Sequence, residues 1–360
     1  MFLVNLYCLL FACCGLIIKK QASPNLAINK TPRIAIIAPL LLGDTLMSIS
    51  LISKLRHSYP FSPILLICTQ PLADLLRFGP YGIKTATIRL KSLSSMRAIR
   101  ALGPFDLGYA LGENRFALIA KAIGCSKVVA LAGGRPLWRN MFVDQAVEID
   151  QSLTNIYTQQ ARLAGEPGAL LQFSEDEFSQ LSYPEKNTRI TKLHYVLIHL
   201  GSSRKSKQWA PANWRNLIAA LDGLGYKIVI AVGPGEQRLI KSVDPASNYQ
   251  TFIGSSNLEP FWSAIKNAEA LVCVDSAAAH IAKLTGTFTI CLYGPGAKAL
   301  TGPDHFFRQD KFVGLTLKSM PDKRYEPVFK RVLPVRPTGT VLSDDAAIAE
   351  IIKALNSIRA

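Results

Sequence analysis

The sequence predicts an α/β protein built from two doubly wound domains that face each other across a cleft. From residue 32 onward, apolar β-branched runs alternate with amphipathic helical patterns, which is typical of parallel sheets covered by helices. The same alternation restarts near residue 195, after a polar and proline-containing connection at 173–189. The chain has 360 residues, 49% of them hydrophobic, and is therefore long enough for two domains with separate cores.

The first half opens with a continuous apolar run at 33–38, which predicts a strand buried on both faces. A helix is predicted over 45–58, because apolar side chains recur at helical spacing from Leu46 to Leu55. The other elements predicted for this half are strands at 64–68, 85–88, 107–111 and 127–130, a helix near 72–78, and a longer helix over 149–165.

The second half repeats the alternation and ends in a basic, proline-rich stretch at 311–338 that shows little periodicity. Its predicted strands are at 195–200, 227–232, 270–274 and 288–293, and its predicted helices at 213–224, 258–267, 278–285 and 344–358. The predicted division of the chain is 1–31 as an apolar leader and linker, 32–185 and 186–340 as the two domains, and 341–360 as a C-terminal helix.

The apolar leader bears on localisation. Residues 2–18 are apolar apart from Asn5, and Lys19 and Lys20 follow them. The run is slightly shorter than the ~20 residues of a typical transmembrane helix, so it is a marginal candidate for an anchor. Lysines after the run, rather than before it, disfavour a cleaved signal and place the rest of the chain in the cytoplasm. An extension upstream of the folded core remains the alternative.

The charge and cysteine content exclude some classes of function. The net charge of +16 suits an anionic partner, but the basic residues are scattered and no nucleic-acid-binding pattern occurs, so nucleic acid is not a predicted partner. The seven cysteines lack C-x-x-C spacing, which disfavours disulfides and zinc and is typical of a reducing compartment. The histidines and acidic residues show no metal-binding spacing either. No metal or cofactor is predicted.

The loop after the strand at 195–200 is a candidate phosphate site. It contains Gly201, Ser202 and Ser203, whose small side chains let backbone N–H groups approach phosphate oxygens. Lys207 or Arg204 supplies a cation that neutralises a diphosphate. A solvated basic turn is the alternative, but the tryptophans at 209 and 214 favour a functional site.

A second candidate begins where the strand at 270–274 ends. Asp275 and Ser276 lie near the start of a helix, where a phosphate or sugar hydroxyl can be bound, and His280 follows five residues after Asp275. The alternatives are an ordinary helix cap for Asp275 and a buried core histidine for His280. Spacing alone leaves both alternatives open.

Two acidic residues follow other strands. Asp44 comes after Gly43 and before a helix, and capping alone accounts for its residue type. A carboxylate at this strand end could also take a proton from an acceptor hydroxyl. Glu236 follows a Gly-Pro-Gly loop and is a candidate for a hydrogen bond to a ribose, although that loop is a weak signal.

Three motifs in this order resemble the lipopolysaccharide heptosyltransferases, the ADP-heptose transferases of glycosyltransferase family nine. They are R-I-A-I-I-A-P-L-L-L-G-D-T-L at 33–46, H-L-G-S-S-R-K-S-K-Q-W-A-P-A-N-W at 199–214, and V-D-S-A-A-A-H-I-A at 274–282 with Y-G-P at 293–295. Two departures stand out: Ala277 replaces a frequent glycine, and residues 39–42 replace the usual small polar residues before Gly43.

The resemblance implies a GT-B fold, with residues 32–185 as the acceptor domain and 186–340 as the donor domain. It implies inverting, metal-independent transfer of a sugar, usually heptose from ADP-heptose, to a lipid-linked acidic oligosaccharide at the inner membrane. Asp44 matches the family's proposed general base. The donor-binding positions matched are Ser202, Ser203 and Lys207 for the diphosphate, Glu236 near the ribose, and Asp275, Ser276 and His280 in the donor pocket.

Two other functions remain open at this point. A sugar-nucleotide epimerase on the same scaffold would need further acidic residues around the sugar and no lipid acceptor. A non-catalytic sugar-nucleotide binding protein would keep the loop at 202–207 without requiring Asp44. The presence of both Asp44 and Lys207 favours the glycosyltransferase.

Overall fold

The computed structural model divides the chain into two compact units, each described here by itself. Unit 1 comprises residues 1–171 with 326–333, and unit 2 comprises 172–325 with 334–360. The structure describes residues 7–13, 31–69, 82–165, 194–303, 309–321, 325–328, 331–335 and 339–359. The predicted helix near 72–78 and most of the predicted connection at 173–189 lie outside the described residues.

Unit 1 contains a six-stranded parallel sheet. Its strands are β1 (Ile34–Ala38), β2 (Ile64–Cys68), β3 (Lys84–Thr87), β4 (Phe105–Ala110), β5 (Cys125–Leu131) and β6 (Gln145–Val147), in the order β3-β2-β1-β4-β5-β6. The chain runs outward from β1 to β3 and then returns to the other side of β1. Strand β1 pairs in parallel with β2 and β4 and is buried along its whole length. Its side chains are all apolar because a strand of a parallel sheet is covered on both faces.

The helices of unit 1 differ from the sequence predictions at two places. The described helices are α1 (Leu42–Leu46), α2 (Ile49–Ser58), α3 (Leu93–Ala101), α4 (Arg115–Ala122) and α5 (Ile156–Ala161). The prediction of a long helix over 149–165 was wrong. The helix begins only at Ile156, where the Asn155 side chain accepts a hydrogen bond from the Tyr157 N–H, and Asp150 forms a turn with Ser152 before it.

The predicted helix over 45–58 is two helices, and the first begins earlier than predicted. Leu41 occupies the N-cap position of α1, so Asp44 lies inside the first turn and does not cap the helix. The Ser48 hydroxyl donates to the Thr45 carbonyl oxygen at 2.6 Å, in the turn where α1 ends and α2 begins. Such local hydrogen bonds from serine compete with regular helix pairing and account for the break.

Unit 2 contains a seven-stranded parallel sheet with the same winding. Its strands are β7 (Val196–His199), β8 (Ile228–Val232), β9 (Gln250–Ile253), β10 (Ala270–Val274), β11 (Phe288–Tyr293), β12 (Phe312–Leu317) and β15 (Val341–Leu342), in the order β15-β12-β11-β10-β7-β8-β9. Strands β13 (Tyr325–Val328) and β14 (Arg331–Pro334) form a separate pair, and residues 326–333 of this pair belong to unit 1. The two parallel-sheet α/β domains confirm the predicted fold class.

Two buried tryptophans lie in the core of unit 2 with side chains of its first and last described helices. The described helices are α6 (Pro211–Gly223), α7 (Gln237–Val243), α8 (Glu259–Lys266), α9 (Ala277–Thr285), α10 (Ala297–Thr301) and α11 (Asp344–Ser357). Trp209 and Trp214 lie edge to face at 5.0 Å in the core, and α11 adds Ile351 and Leu355 to the same cluster. Strand β12 lies in the stretch at 311–338, for which the weak periodicity predicted no element, because pairing with β11 fixes a segment whose own pattern is weak.

Part of the predicted leader packs on unit 1. Residues 7–13 are helical, and Cys8 and Ala12 are buried in the core beside β1. The Arg100 guanidinium lies 4.3 Å from the centre of the Phe11 ring. Within the described parts of the chain, none of the helices combines the length and apolar character needed to cross a bilayer. Residues 1–6 and 14–30 of the leader lie outside the described residues.

Candidate functional site

The candidate site of unit 2 lies where the winding of its sheet reverses. The chain leaves β7 toward β8 and β9, then returns to place β10 on the opposite side of β7. The loops after β7 and β10 therefore leave the carboxyl edge of the sheet in opposite directions and open a crevice between them. Ligands of open α/β sheets usually bind in such a crevice. The loop after β7 carries Ser202, Ser203 and Lys207, and the segment after β10 carries Asp275 and Ser276.

Lys207 and Asp275 form an ion pair at this edge. The Lys207 Nζ atom lies 2.5 Å from Asp275 Oδ2, and the Thr301 hydroxyl donates to Asp275 Oδ1 at 2.9 Å. The Asp275 side chain is 7% exposed and the Lys207 side chain 24% exposed. Both carboxylate oxygens thus have a donor, so Asp275 holds the ammonium group at the surface of the site. The alternative that Asp275 caps α9 is wrong, because Ser276 occupies that position.

The ionisation of this pair is set by opposing effects. Burial raises the pKa of the Asp275 carboxyl, but the Lys207 charge and hydrogen bond, with His280 and Thr301, lower it below its ordinary value overall. His280 is 4% exposed on α9, and burial together with the Lys283 charge moves its pKa well below the ordinary value. At neutral pH the site therefore presents a lysine cation, an ionised aspartate and a neutral histidine.

The rest of the loop after β7 has a buried and an exposed part. Ser202 is 7% exposed, and its hydroxyl donates to the Asp275 carbonyl oxygen at 3.4 Å, which joins the two loops. Ser203 is exposed, and a short 3₁₀ helix, Lys205–Lys207, turns Lys207 back toward Asp275. Lys207 and Asp275 line a pocket together with Gly294 and Ala297.

Glu236 forms a hydrogen bond within the loop that follows β8. Its Oε2 atom accepts a hydrogen bond from the Gly233 N–H at 2.8 Å. The same carboxylate lies against Gly201, where an added Cβ would stand 1.8 Å from Oε2. The structure therefore places Glu236 beside the loop that carries Ser202, and it explains why position 201 is glycine.

Replacing Gly201 by alanine is expected to displace the Glu236 carboxylate and weaken both loops. We expect a loss of about 0.5–1.5 kcal/mol in the free energy of unfolding, because the carboxylate at the end of the flexible Glu236 side chain must move away from its hydrogen bond with the Gly233 N–H. Urea unfolding measures this loss. Gly223→Ala is the matched control, because a Cβ there meets nothing within 4 Å. Equal stability of the two variants would contradict this account.

His199 is a residue of this site that the sequence analysis passed over. It is the last residue of β7, and its Nδ1 atom lies 3.4 Å from the Ser276 hydroxyl oxygen. Burial lowers the pKa of His199 to about 4, so the ring is neutral at pH 7. Its position at the carboxyl end of a strand, two residues before Gly201 of the Gly-Ser-Ser loop, was the available signal. Thr301 was also missed, because it follows Asp275 by 26 residues.

His199 is expected to make the protein less stable in mild acid. The unfolded ring takes up a proton near pH 6.5, whereas the folded ring does so near pH 4, so its stabilising contribution is complete above pH 6.5 and falls as the pH drops through that window. The loss amounts to about 3 kcal/mol. Urea unfolding between pH 4 and pH 7 gives the free energy of unfolding at each pH, and this free energy should change less with pH in His199→Gln than in the unaltered protein. An unchanged pH dependence would rule out His199 as its cause.

Asp44 belongs to unit 1, at the equivalent place in its sheet. It follows β1, and the winding of that sheet reverses between β1 and β4. The side chain is half-buried in the first turn of α1, where a carboxylate is favoured by the helix dipole. The structure thus brings Ser202, Lys207, Asp275, Ser276 and His280 together in unit 2 and places Asp44 at the switch point of unit 1. Among the residues that the structure describes, no cluster of three or more histidine, cysteine or acidic side chains could hold a metal ion.

The chain is thus a two-domain α/β protein with candidate ligand-binding residues at the switch points of its two parallel sheets. Residues 115–333 match the family model of glycosyltransferase family 9 (heptosyltransferase). The chain therefore belongs to glycosyltransferase family 9 and is a glycosyltransferase. The matched segment contains all the candidate residues of unit 2 and excludes Asp44.

The chain is also similar to individual proteins of this kind. It is 25% identical over 339 residues to lipopolysaccharide heptosyltransferase 3 of Escherichia coli K12, covering 84% of this chain and 93% of that protein. It is 30% identical over 108 residues to lipopolysaccharide heptosyltransferase 1 of Salmonella typhimurium, covering 30% of this chain and 34% of that protein.

Two solved E. coli structures share its fold. One is ADP-heptose lipopolysaccharide heptosyltransferase II, with a TM-score of 0.67, 18% identity, and coverage of 91% of this chain and 100% of that one. The other is the heptosyltransferase WaaC solved with ADP, with a TM-score of 0.69, 14% identity, and coverage of 89% and 99%. The GT-B fold class expected from the sequence is thereby confirmed.

Proposed function

We propose that this glycosyltransferase moves heptose from ADP-heptose to a lipopolysaccharide core or a similar acidic, lipid-linked oligosaccharide. Transfer inverts the anomeric configuration, requires no metal, and takes place in the cytoplasm at the inner membrane. The donor and acceptor classes come from the named relatives, above all the E. coli lipopolysaccharide heptosyltransferase 3 that aligns with most of the chain. The observation that carries the proposal is the Lys207 ammonium, held by Asp275 at the switch point of the unit 2 sheet.

The site residues act mainly on the donor diphosphate. The Lys207 charge offsets that of Asp275, the Thr301 hydroxyl donates a hydrogen bond to the same carboxylate, and Asp275 keeps the ammonium group in one place. Ser202, Ser203 and the start of α9 at Ser276 would supply further hydrogen-bond donors. Such fixed donors stabilise the charge that gathers on the diphosphate oxygens as the glycosidic bond breaks. Glu236 would contact the ribose, and His280 would donate from its neutral ring.

The chemical step is a direct displacement. The acceptor hydroxyl oxygen attacks the anomeric carbon and forms the new glycosidic bond, and its proton passes to the Asp44 carboxylate. The bond between the anomeric carbon and the diphosphate oxygen breaks, and ADP departs with that electron pair. Attack on the face opposite the leaving group inverts the configuration.

A donor panel tests the proposal. A ligand that binds only the folded state raises the unfolding temperature more the more tightly it binds, so at equal concentration ADP-heptose should stabilise the full chain more than UDP-glucose or GDP-mannose does. With a heptose-deficient lipopolysaccharide as acceptor, mass spectrometry should find one added heptose, and excess EDTA should not change the rate.

The other outcomes identify the rival functions. Stabilisation by a sugar nucleotide with no transfer to any acceptor would indicate a binding protein. Conversion of the sugar nucleotide to an epimer without an acceptor would indicate an epimerase. A product that retains the anomeric configuration in NMR spectra would overturn the displacement mechanism, and loss of activity in EDTA would overturn metal independence.

A further inference from the structure

An exposed apolar surface in unit 1 is not used by the proposed reaction. It lies on the 3₁₀ helix Leu137–Phe142 and consists of Leu137, Trp138 and Met141, which are 68%, 51% and 61% exposed. Together with Arg135 and Arg139 we call it the 135–141 surface. Large apolar side chains so exposed and so close in sequence indicate a binding surface.

The 135–141 surface is held in a fixed conformation. Phe142 is fully buried in the core of unit 1 and anchors the end of the segment. The Asn114 side-chain amide, itself buried, donates to the Pro136 carbonyl oxygen at 2.8 Å and to Asn140 Oδ1 at 2.9 Å. Asn140 in turn donates to the Gly134 carbonyl oxygen at 3.1 Å. These contacts fix the backbone of the segment while the side chains of Leu137, Trp138 and Met141 remain exposed.

Two cations lie among these apolar side chains. Arg135 is exposed, and Arg139 is half-buried with its guanidinium 5.2 Å from the centre of the Trp138 ring. Across the described residues, neither arginine forms an ion pair. Asp144, just beyond the segment, is instead bound by Lys121 Nζ at 2.5 Å and by the Val128 N–H at 2.6 Å. The surface thus combines apolar contact with uncompensated positive charge.

The 135–141 surface lies at the same edge of the sheet as Asp44. It follows β5, and Asp44 follows β1, so both stand at the carboxyl ends of parallel strands separated only by β4. Two strand spacings correspond to roughly 10 Å. Leu41, three residues before Asp44, is 59% exposed at this edge and extends the apolar character toward the candidate base.

We propose that the 135–141 surface docks unit 1 on an anionic lipid bilayer. Leu137, Trp138 and Met141 would enter the interface, where tryptophan is favoured, and the arginines would meet anionic headgroups. A bilayer fits better than a protein partner, because three side chains fall far short of the ~800 Å² that a stable interface buries on each partner. This inference rests on the proposed function in one respect: a bilayer here would present a lipid-linked acceptor at the edge that carries Asp44.

Vesicle flotation of the full chain tests the proposal without any donor. Vesicles of phosphatidylethanolamine with one quarter phosphatidylglycerol should bind the protein, and pure phosphatidylcholine vesicles should bind it far more weakly. The double variant Leu137→Ser with Met141→Ser should bind the anionic vesicles at least tenfold more weakly, because buried apolar area is lost. Arg135→Gln should weaken binding roughly fivefold. Equal binding of these variants and the unaltered protein would overturn the proposal.

Phe61→Ser is the matched control. Phe61 is 86% exposed and precedes β2, at the opposite edge of the same sheet, so its loss should leave vesicle binding unchanged. The unfolding temperature of every variant establishes that it is folded. If Phe61→Ser weakened binding as much as the double variant does, binding would depend on exposed apolar side chains in general, and the proposal of a specific surface would be overturned.

Trp138 supplies an independent readout. The other three tryptophans, at 209, 214 and 262, are at most 3% exposed. Fluorescence that an aqueous quencher can reach therefore comes from Trp138, and anionic vesicles should shield it and shift its emission to shorter wavelength. Unchanged quenching in a sample that is fully vesicle-bound would overturn the proposal, since another part of the chain would be in contact with the lipid.

The remaining outcomes separate this proposal from the proposed function. A dimer in sedimentation velocity that the double variant abolishes, with no vesicle binding, would assign the surface to self-association and overturn the bilayer. Vesicle binding with no sugar transfer to any acceptor would overturn the proposed function and leave the docking surface intact. Stabilisation by ADP-heptose should be the same in the surface variants as in the unaltered protein.

Discussion

Replacing Asp44 by asparagine is expected to lower the rate of sugar transfer ~10²–10⁴-fold, the usual contribution of a general base. An amide cannot take the proton of the acceptor hydroxyl. Donor binding should persist, because the candidate donor residues all lie in unit 2. The measurement is kcat with saturating donor and acceptor, together with the rise in unfolding temperature caused by ADP-heptose.

The control for this variant is Asp345→Asn. Asp345 is also an aspartate in the first turn of a helix, but it is exposed on α11 in unit 2. Its loss removes a comparable interaction with a helix dipole, worth at most about 1 kcal/mol, and no proton acceptor. Normal transfer by a folded Asp44→Asn protein would eliminate Asp44 as the base and leave the donor site of unit 2 unaffected.

Lys207→Met is expected to impair both stability and transfer. The substitution leaves the Asp275 carboxylate buried without its cation, and losing one partner of a buried pair costs about 3 kcal/mol. The pKa of Asp275 should rise, because burial is no longer offset by the lysine charge. Loss of a fixed cation at the diphosphate should lower kcat ~10²–10³-fold. Urea unfolding and transfer kinetics at neutral pH measure these effects.

Lys205→Met is the companion variant, because Lys205 lies in the same 3₁₀ turn and is exposed. Its stability and kcat should stay close to those of the unaltered protein, since an exposed charge contributes little. If Lys207→Met bound ADP-heptose as tightly as Lys205→Met does, the diphosphate would not lie at Lys207. The ion pair with Asp275 would then have a structural role only.

Local sequence patterns were sufficient for the central strands of both sheets and for the location of both candidate sites, but they missed strands β6, β9, β12 and β15. Continuous apolar runs such as that of β1 and β10 predict parallel strands, because a strand covered by helices on both faces has no polar side. Asp44 and Asp275 could be assigned to strand ends for the same reason. Local patterns failed where hydrogen bonds between neighbours compete with the helix, as at Ser48, and where pairing with β11 fixes a weakly patterned strand such as β12.

The sequence by itself determined that two parallel sheets form and which loops leave their carboxyl edges, because apolar periodicity is a local property of the chain. Only the tertiary structure decided which side chains meet at the site of unit 2. Lys207 and Asp275 are 68 residues apart, and His199 and Ser276 are 77 apart. Each pair comes together because β10 returns beside β7 after β8 and β9 are placed. Burial lowers the pKa of His199, whereas the Lys207 charge and hydrogen bond outweigh burial and lower the pKa of Asp275, so neither shift follows from the spacing of residues along the chain.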